Sequence, residues 1–288
     1  MKRRQALQTL GTTLLGWPLA ARVGGTAEPR ARRILFFSRS VLFEHPVVRR
    51  EGEELSLAEK TFVNLARQID CEVECTKDGR VFDGDLDRYA AVVSYTCGRP
   101  ADLMKPDSPD GSLPLSEEGW KRLDAAVRSG MPLVGIHPGI WLLPEAFGAD
   151  CLGHGSQQEA RIDVVSPRFP GVERLGKSFS LLEEWFSLIQ FAPDLHVVLV
   201  QDCSGMNKDA PADRRCYDRP PFPATWARMH GNGRVFYTSL GHREDVWSGA
   251  VFGQILLGGL SWALGRLPAD ITPNIDRVAP EANQFPKG

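Results

Sequence analysis

Six histidines are spread along the chain, and their neighbours sort them by what they could do. Gly135-Ile136-His137-Pro138-Gly139 marks the point where an apolar strand must turn sharply. Such an elbow exposes its central side chain at the carboxyl edge of a sheet, where open α/β folds place their sites. An imidazole there serves as acid, base or metal ligand, but it replaces a thioester-forming thiolate poorly. His242 follows an apparent strand in Thr238-Ser239-Leu240-Gly241-His242, and His45 follows the first strand in Phe43-Glu44-His45-Pro46. His154 lies in the glycine-punctuated loop Cys151-Leu-Gly-His-Gly-Ser-Gln-Gln158. Three of these four come after strand ends, so one sheet edge is expected to gather them. His196 and His230 lack that placement and read as structural or surface residues. Glu183 and Glu184 precede Trp185 and Phe186 in an apolar run. A strand puts adjacent side chains on opposite faces, so only one of the two carboxylates is expected in a pocket. Several histidines with one carboxylate suit acid–base work, and equally a divalent ion such as zinc, with His137, His154 and His242 as candidate ligands.

These positions require a frame. Residues 33–38, 90–95 and 131–136 are continuous apolar runs, expected as strands buried on both faces, and residues 71–75 alternate as a shorter strand. Helical spacing covers residues 53–69 and 116–130, a brief helical turn is expected at 85–89, and residues 98–115 read as a loop rich in Pro, Gly, Asp and Ser. A helix is also expected after the elbow. This alternation predicts an α/β fold, a flavodoxin-like parallel sheet with helices on both faces. Further strands, expected as antiparallel additions, fall at 160–165, 179–186, 195–202, 223–229 and 233–238, with a hairpin turn at 230–234. One long apolar helix is predicted over 246–264, and residues 266–288 as an extended tail.

The chain has 288 residues, 42% hydrophobic and 24% charged, which excludes collagen-like, disordered and coiled-coil classes. Residues 1–27 hold Lys2, Arg3, Arg4 and Arg22 and no acid, so removing their four positive charges from −2 leaves −6 on the remainder. That acidic body argues against nucleic-acid binding. Lys2-Arg3-Arg4-Gln5-Ala6-Leu7 resembles a twin-arginine export signal, with cleavage expected near Ala27 or Ala21 and the periplasm as destination. The following stretch is too short and polar for a stable membrane span. The six cysteines show no metal-site spacing and read as small buried residues, although Cys203 and Cys216 flank a loop that a disulfide could close after export.

Gly233-Arg-Val-Phe-Tyr-Thr-Ser-Leu-Gly-His242, followed by Leu257-Gly-Gly-Leu-Ser-Trp262-Ala263, resembles the C-terminal signature of the ThuA-like (trehalose utilisation) family. Gly135-Ile136-His137, the His154 loop, Glu183-Glu184-Trp185-Phe186 and Pro223-Ala-Thr-Trp226 add to the likeness, which spans residues 32–265. The family implies a class I glutamine amidotransferase-like fold, yet the elbow position holds His137, so amidotransferase chemistry is not expected. Carried over by position, His137, Glu184 and His242 are expected to be catalytic. His45, His154, Gln158 and Trp226 are expected to bind substrate, although Trp226 reads equally as core. The resemblance implies a carbohydrate, and specifically a keto-sugar or keto-glycoside produced by an upstream sugar 3-dehydrogenase and then hydrolysed, eliminated or isomerised. The alternatives are a non-catalytic periplasmic carbohydrate-binding or accessory protein, and a structural module in which the histidines do not converge. Two departures stand out: residues 98–115 look inserted, and Asp218-Arg219-Pro220 replaces an Asp-His-Pro found in many members.

Overall fold

The apolar runs of the first half assemble the parallel part of one large sheet. In a computed structural model, which describes residues 33–284, β1 (Arg33–Phe37) leads through α1 (Leu57–Arg67) to β2 (Glu72–Thr76), and then to β3 (Ala91–Ser94). Next come α2 (Pro100–Leu103), α3 (Glu117–Ser129), β4 (Leu133–Ile136) and α4 (Pro144–Phe147). The export signal expected over residues 1–27 lies outside the described residues. Every residue of β3 and β4 is buried, as is all of β1 after Arg33, because helices cover both faces. α1 begins later than its spacing suggests because Ser56 caps it. Ser56 Oγ accepts from the Glu59 amide at 3.3 Å, and a Glu59 oxygen accepts from the Ser56 amide at 2.8 Å.

The second half contributes β5 (Asp150–His154), β6 (Gln158–Val164), β7 (Ser178–Glu183), β8 (Phe186–Ile189), β9 (His196–Asp202), α5 (Pro211–Tyr217), β10 (Phe222–His230) and β11 (Gly233–Thr238). The chain ends through α6 (Glu244–Trp247), α7 (Ala250–Ala263) and α8 (Ile275–Val278). The main sheet runs β2-β1-β3-β4-β11-β10-β9-β6-β7, and β5 pairs with β8 in a separate two-stranded ribbon. Pairing is parallel from β2 to β11 and antiparallel from β11 to β7. β1 has β2 on one side and β3 on the other, so a crevice opens outside their carboxyl ends. α7 lies close on β11: a Cβ at Gly259 would meet the Phe236 ring at 2.3 Å.

Several expectations need correction. The single strand 179–186 is two, because the chain leaves the main sheet at Glu183 and rejoins a different one at Phe186. Much of the supposed His154 loop is β5, whose pairing with β8 shifts register between Cys151 and Gly153. The elbow leads into a 3-10 stretch, His137–Leu142, and only four residues of α-helix. The long final helix is broken between Trp247 and Ala250. The C-terminal segment is not merely extended: α8 interrupts it, and the Asn274 side chain bonds both the amide and the carbonyl of Val197, at 2.7 and 3.1 Å. Cys203 and Cys216 are buried free thiols, so no disulfide closes the loop between them. Among the described residues no helix is long and apolar enough to cross a membrane.

Candidate functional site

Four elements deliver one side chain each to the same place. His45 follows β1, His137 follows β4, Glu184 follows β7 and His242 lies four residues beyond β11. One ligand-type atom from each of these residues lies within 4.8 Å of the others. Three of the four histidines singled out in the sequence therefore converge, together with Glu184.

The elbow holds His137 by several independent contacts. Its φ is +48°, a left-handed conformation that a non-glycine residue adopts only under constraint. Tyr237 Oη donates to the His137 carbonyl at 2.8 Å, and Ser94 Oγ donates to the Gly139 carbonyl at 3.0 Å. Gly139 is obligatory here, since a Cβ would fall 2.0 Å from the Ser94 carbonyl oxygen. The fully buried imidazole donates from Nδ1 to the Ser239 carbonyl at 3.0 Å, which leaves Nε2 unprotonated and facing the cluster. That atom is 3.3 Å from His242 Nδ1 and 3.6 Å from a Glu184 oxygen.

His242 is held through its backbone by Glu183. One Glu183 oxygen accepts the amides of Gly241 and His242 at 2.9 and 3.2 Å, and the other accepts the Glu184 amide at 2.8 Å. Tyr95 Oη and Trp247 Nε1 both donate to the Gly241 carbonyl, at 2.8 and 2.7 Å. Both acids therefore serve the site, against the expectation that one would point away. The strand rule fails because β7 ends at Glu183 and the chain turns at Glu184. Burial raises the Glu183 carboxyl to about 7, against the opposing pull of the amides it accepts. Glu184 behaves in the opposite sense. Burial would raise it, but its contacts with the His137 and His242 imidazoles, at 3.6 and 3.2 Å, hold it well below the usual carboxylate range.

His45 is the least satisfied member. It is buried, its ring stands edge-on to those of His137 and His242 with centroids 5.1 and 5.0 Å away, and its Nδ1 has no hydrogen-bond partner. Burial first, and then its imidazole neighbours, drive its pKa well below the ordinary value. Burial also lowers that of His137, although Glu184 opposes the shift. Neutral imidazoles beside an ionised carboxylate are the protonation states a metal ion requires of its ligands.

Other predicted residues lie elsewhere. His154 is at the rim, its side chain half exposed, with Nδ1 3.0 Å from the Gly155 carbonyl and 3.5 Å from the second Glu184 oxygen. It is outside the four-residue group, which holds His137 and His242 of the candidate metal ligands together with His45 and Glu184. Gln158 turns away: its amide bonds both backbone groups of Asn207, at 2.6 and 3.4 Å. Its neighbour Gln157 reaches the cluster instead, 3.0 Å from His242 Nε2, with its oxygen held by Arg243 at 2.6 Å. Trp226 is core, not a sugar platform, fully buried with Nε1 donating to the Phe147 carbonyl at 2.8 Å. Arg219, at the position of the missing histidine, donates to Ser187, Leu188 and Ala282 and braces the C-terminal segment. His196 and His230 lie apart, bonded to the Thr272 carbonyl and beside Asp124.

Against the cluster opens a cavity of about 400 Å³. His45, His154 and Glu184 provide its polar groups, and Trp141 and Phe186 form an aromatic wall, their rings 5.8 Å apart and 28° from parallel. Sequence reasoning missed Trp141, which the 3-10 stretch after the elbow carries to the cavity.

A family model described as ThuA, trehalose utilisation, matches residues 34–263. Among solved structures, a ThuA-like protein of Parabacteroides merdae is similar with a TM-score of 0.57 at 16% identity, covering 83% of this chain and 92% of that one. A ThuA-like protein of Bacteroides uniformis gives 0.55 at 14% identity, covering 86% and 95%. A cytoplasmic protein of Salmonella typhimurium gives 0.52 at 12% identity, covering 80% and 98%. No curated protein matches the sequence.

Proposed function

This chain belongs to the ThuA, or trehalose utilisation, family, and from that premise we propose that it is an exported enzyme acting on a keto-sugar or keto-glycoside. Its site would hold a divalent ion such as zinc on His45, His137, His242 and Glu184. The observation that carries this reading is the buried, unpartnered Nδ1 of His45 within a group of four ligand-type residues. An orphaned buried nitrogen costs stability unless something binds it. Three imidazoles and one carboxylate form a donor set that suits zinc.

A divalent ion bound there would supply Lewis-acid stabilisation for negative charge developing on a ketone oxygen, once that oxygen adds to or displaces one of the four side chains. The chain's own residues do the remaining work. The Ser239 carbonyl fixes the His137 tautomer, the outer-shell role that metal-binding histidines require. Glu183 fixes the backbone from which His242 projects. His154 donates from Nδ1 to the Gly155 carbonyl, so its Nε2 is free to accept a proton from the carbon beside the ketone. A Glu184 oxygen lies 3.5 Å from its Nδ1. Return of that proton to the former ketone carbon, with the neighbouring hydroxyl proton passing to the former ketone oxygen, gives isomerisation, and its delivery to a departing glycosidic oxygen gives elimination. An oxidising enzyme would supply the ketone upstream, and the basic leader with its paired Arg3 and Arg4 would direct the folded chain to the periplasm.

Turnover of 3-keto-trehalose before and after treatment with EDTA tests this reading. Loss of turnover on stripping and its return with zinc is the expected result, and His154→Ala should lower kcat about 100-fold. Equal turnover by stripped and reloaded protein removes the metal from the mechanism. Sugar binding without turnover, unaffected by changes at His137 and His242, favours a binding protein instead.

A further inference from the structure

The cavity lining is unequal in chemistry. Its charged and titrating side chains gather around Glu184, with His154 3.5 Å from one oxygen and His45 within the four-residue group. The remaining lining is Leu42, Phe43, Cys97, Trp141 and Phe186, none of which carries an amide or a charge. Trp141 adds a single donor to this stretch, a buried Nε1 without a hydrogen-bond partner. The Cys97 thiol is pushed up to about 12 by burial, so it stays neutral.

At the mouth, Leu42 and Phe43 stand 55% and 52% exposed. They are the only sequence-adjacent pair among the exposed large apolar residues described. Two such side chains side by side in water, next to an apolar wall, mark a surface that gains by being covered. The Phe43 ring is anchored edge-on against His45, with centroids 4.9 Å apart, so this lip is continuous with the cluster. A second sugar ring along this wall would meet at most the Trp141 Nε1 donor for its several hydroxyls, and buried hydroxyls without partners are costly. A flat apolar ring would bury the exposed surface of Leu42 and Phe43 and lie against Trp141.

We infer that the site takes a glycoside whose leaving portion is aromatic, held between the Leu42–Phe43 lip and the Trp141–Phe186 wall, with the sugar against the histidine cluster. This inference rests on the carbohydrate reading for its glycosyl half. Calorimetry on the zinc-loaded protein with phenyl β-D-glucopyranoside, methyl β-D-glucopyranoside, trehalose and phenol separates the two. The phenyl glucoside should bind roughly tenfold or more tightly than either methyl glucoside or trehalose, and Leu42→Ser with Phe43→Ala should bring that ratio close to one. A ratio near one in the unmodified protein, or one that survives both substitutions, overturns the aromatic subsite. Phenol bound in a Phe43-dependent way while no glycoside binds keeps the aromatic subsite and sinks the carbohydrate reading. If neither phenol nor any glycoside binds, both fall.

Discussion

His45 carries the tension between stability and binding most plainly, because its buried Nδ1 has no partner within the chain. His45→Leu removes that orphan, so chelator-treated variant protein should be about 1 kcal/mol more stable to urea than the chelator-treated parent. It should also lose high-affinity metal binding. A variant that is less stable without metal would mean that the imidazole is satisfied by some other route. The titrations have opposing signs. His45 and His137 have pKa values depressed below 6.5 in the fold, so the stability they contribute is present above that pH and lost as pH falls. Glu183, raised to about 7 from 4.5, contributes stability below 4.5 that is lost as pH rises through 7. In metal-free protein, Glu183→Gln should therefore steepen the rise of stability with pH between 4.5 and 7, and an unchanged slope would contradict this. At this scale the sequence made the histidines legible, because strand-end placement is visible in one dimension. It could not separate Gln157 from Gln158, since one step along a strand entry decides which amide faces the cluster. Nor could it show Glu183 working from behind, which depends on β7 ending at that residue.

The elements explain why the side chains stay in place. The elbow after β4 is clamped between β3 and β11, with Gly139 against the Ser94 carbonyl and Tyr237 bonded to the His137 carbonyl. Gly139→Ala should cost about 2–3 kcal/mol by overpacking and should displace His137. Urea unfolding checks the first effect and metal affinity the second; an alanine accepted at less than about 0.5 kcal/mol would show that the elbow yields. Buried strands were readable as apolar runs, and β11 matches its expected bounds. β5 was not, because Gly153 and a shifted register give it neither alternation nor an apolar run. The break between α6 and α7 was hidden for a different reason. Apolar residues continue on both sides of Ser248-Gly249, and hydrophobic content alone does not register a lost turn.

The whole molecule joins a parallel half, which supplies His45, His137 and the elbow, to an antiparallel half, which supplies Glu184 and frames the cavity. Neither half holds the cluster alone, and His242 reaches it from β11, where the two meet. At this scale the proposed export signal also has its consequence. Arg3→Lys with Arg4→Lys should leave the precursor in the cytoplasm on fractionation, and normal periplasmic recovery would refute twin-arginine export. The decisive measurement is titration of chelator-treated protein with cobalt(II), followed by its visible absorption. One equivalent should bind to saturation with the intense bands of a four-coordinate site, and His45→Leu and His242→Ala should each abolish that spectrum. Absence of saturable binding, or an identical spectrum in those variants, would contradict a metal centre built from His45, His137, His242 and Glu184.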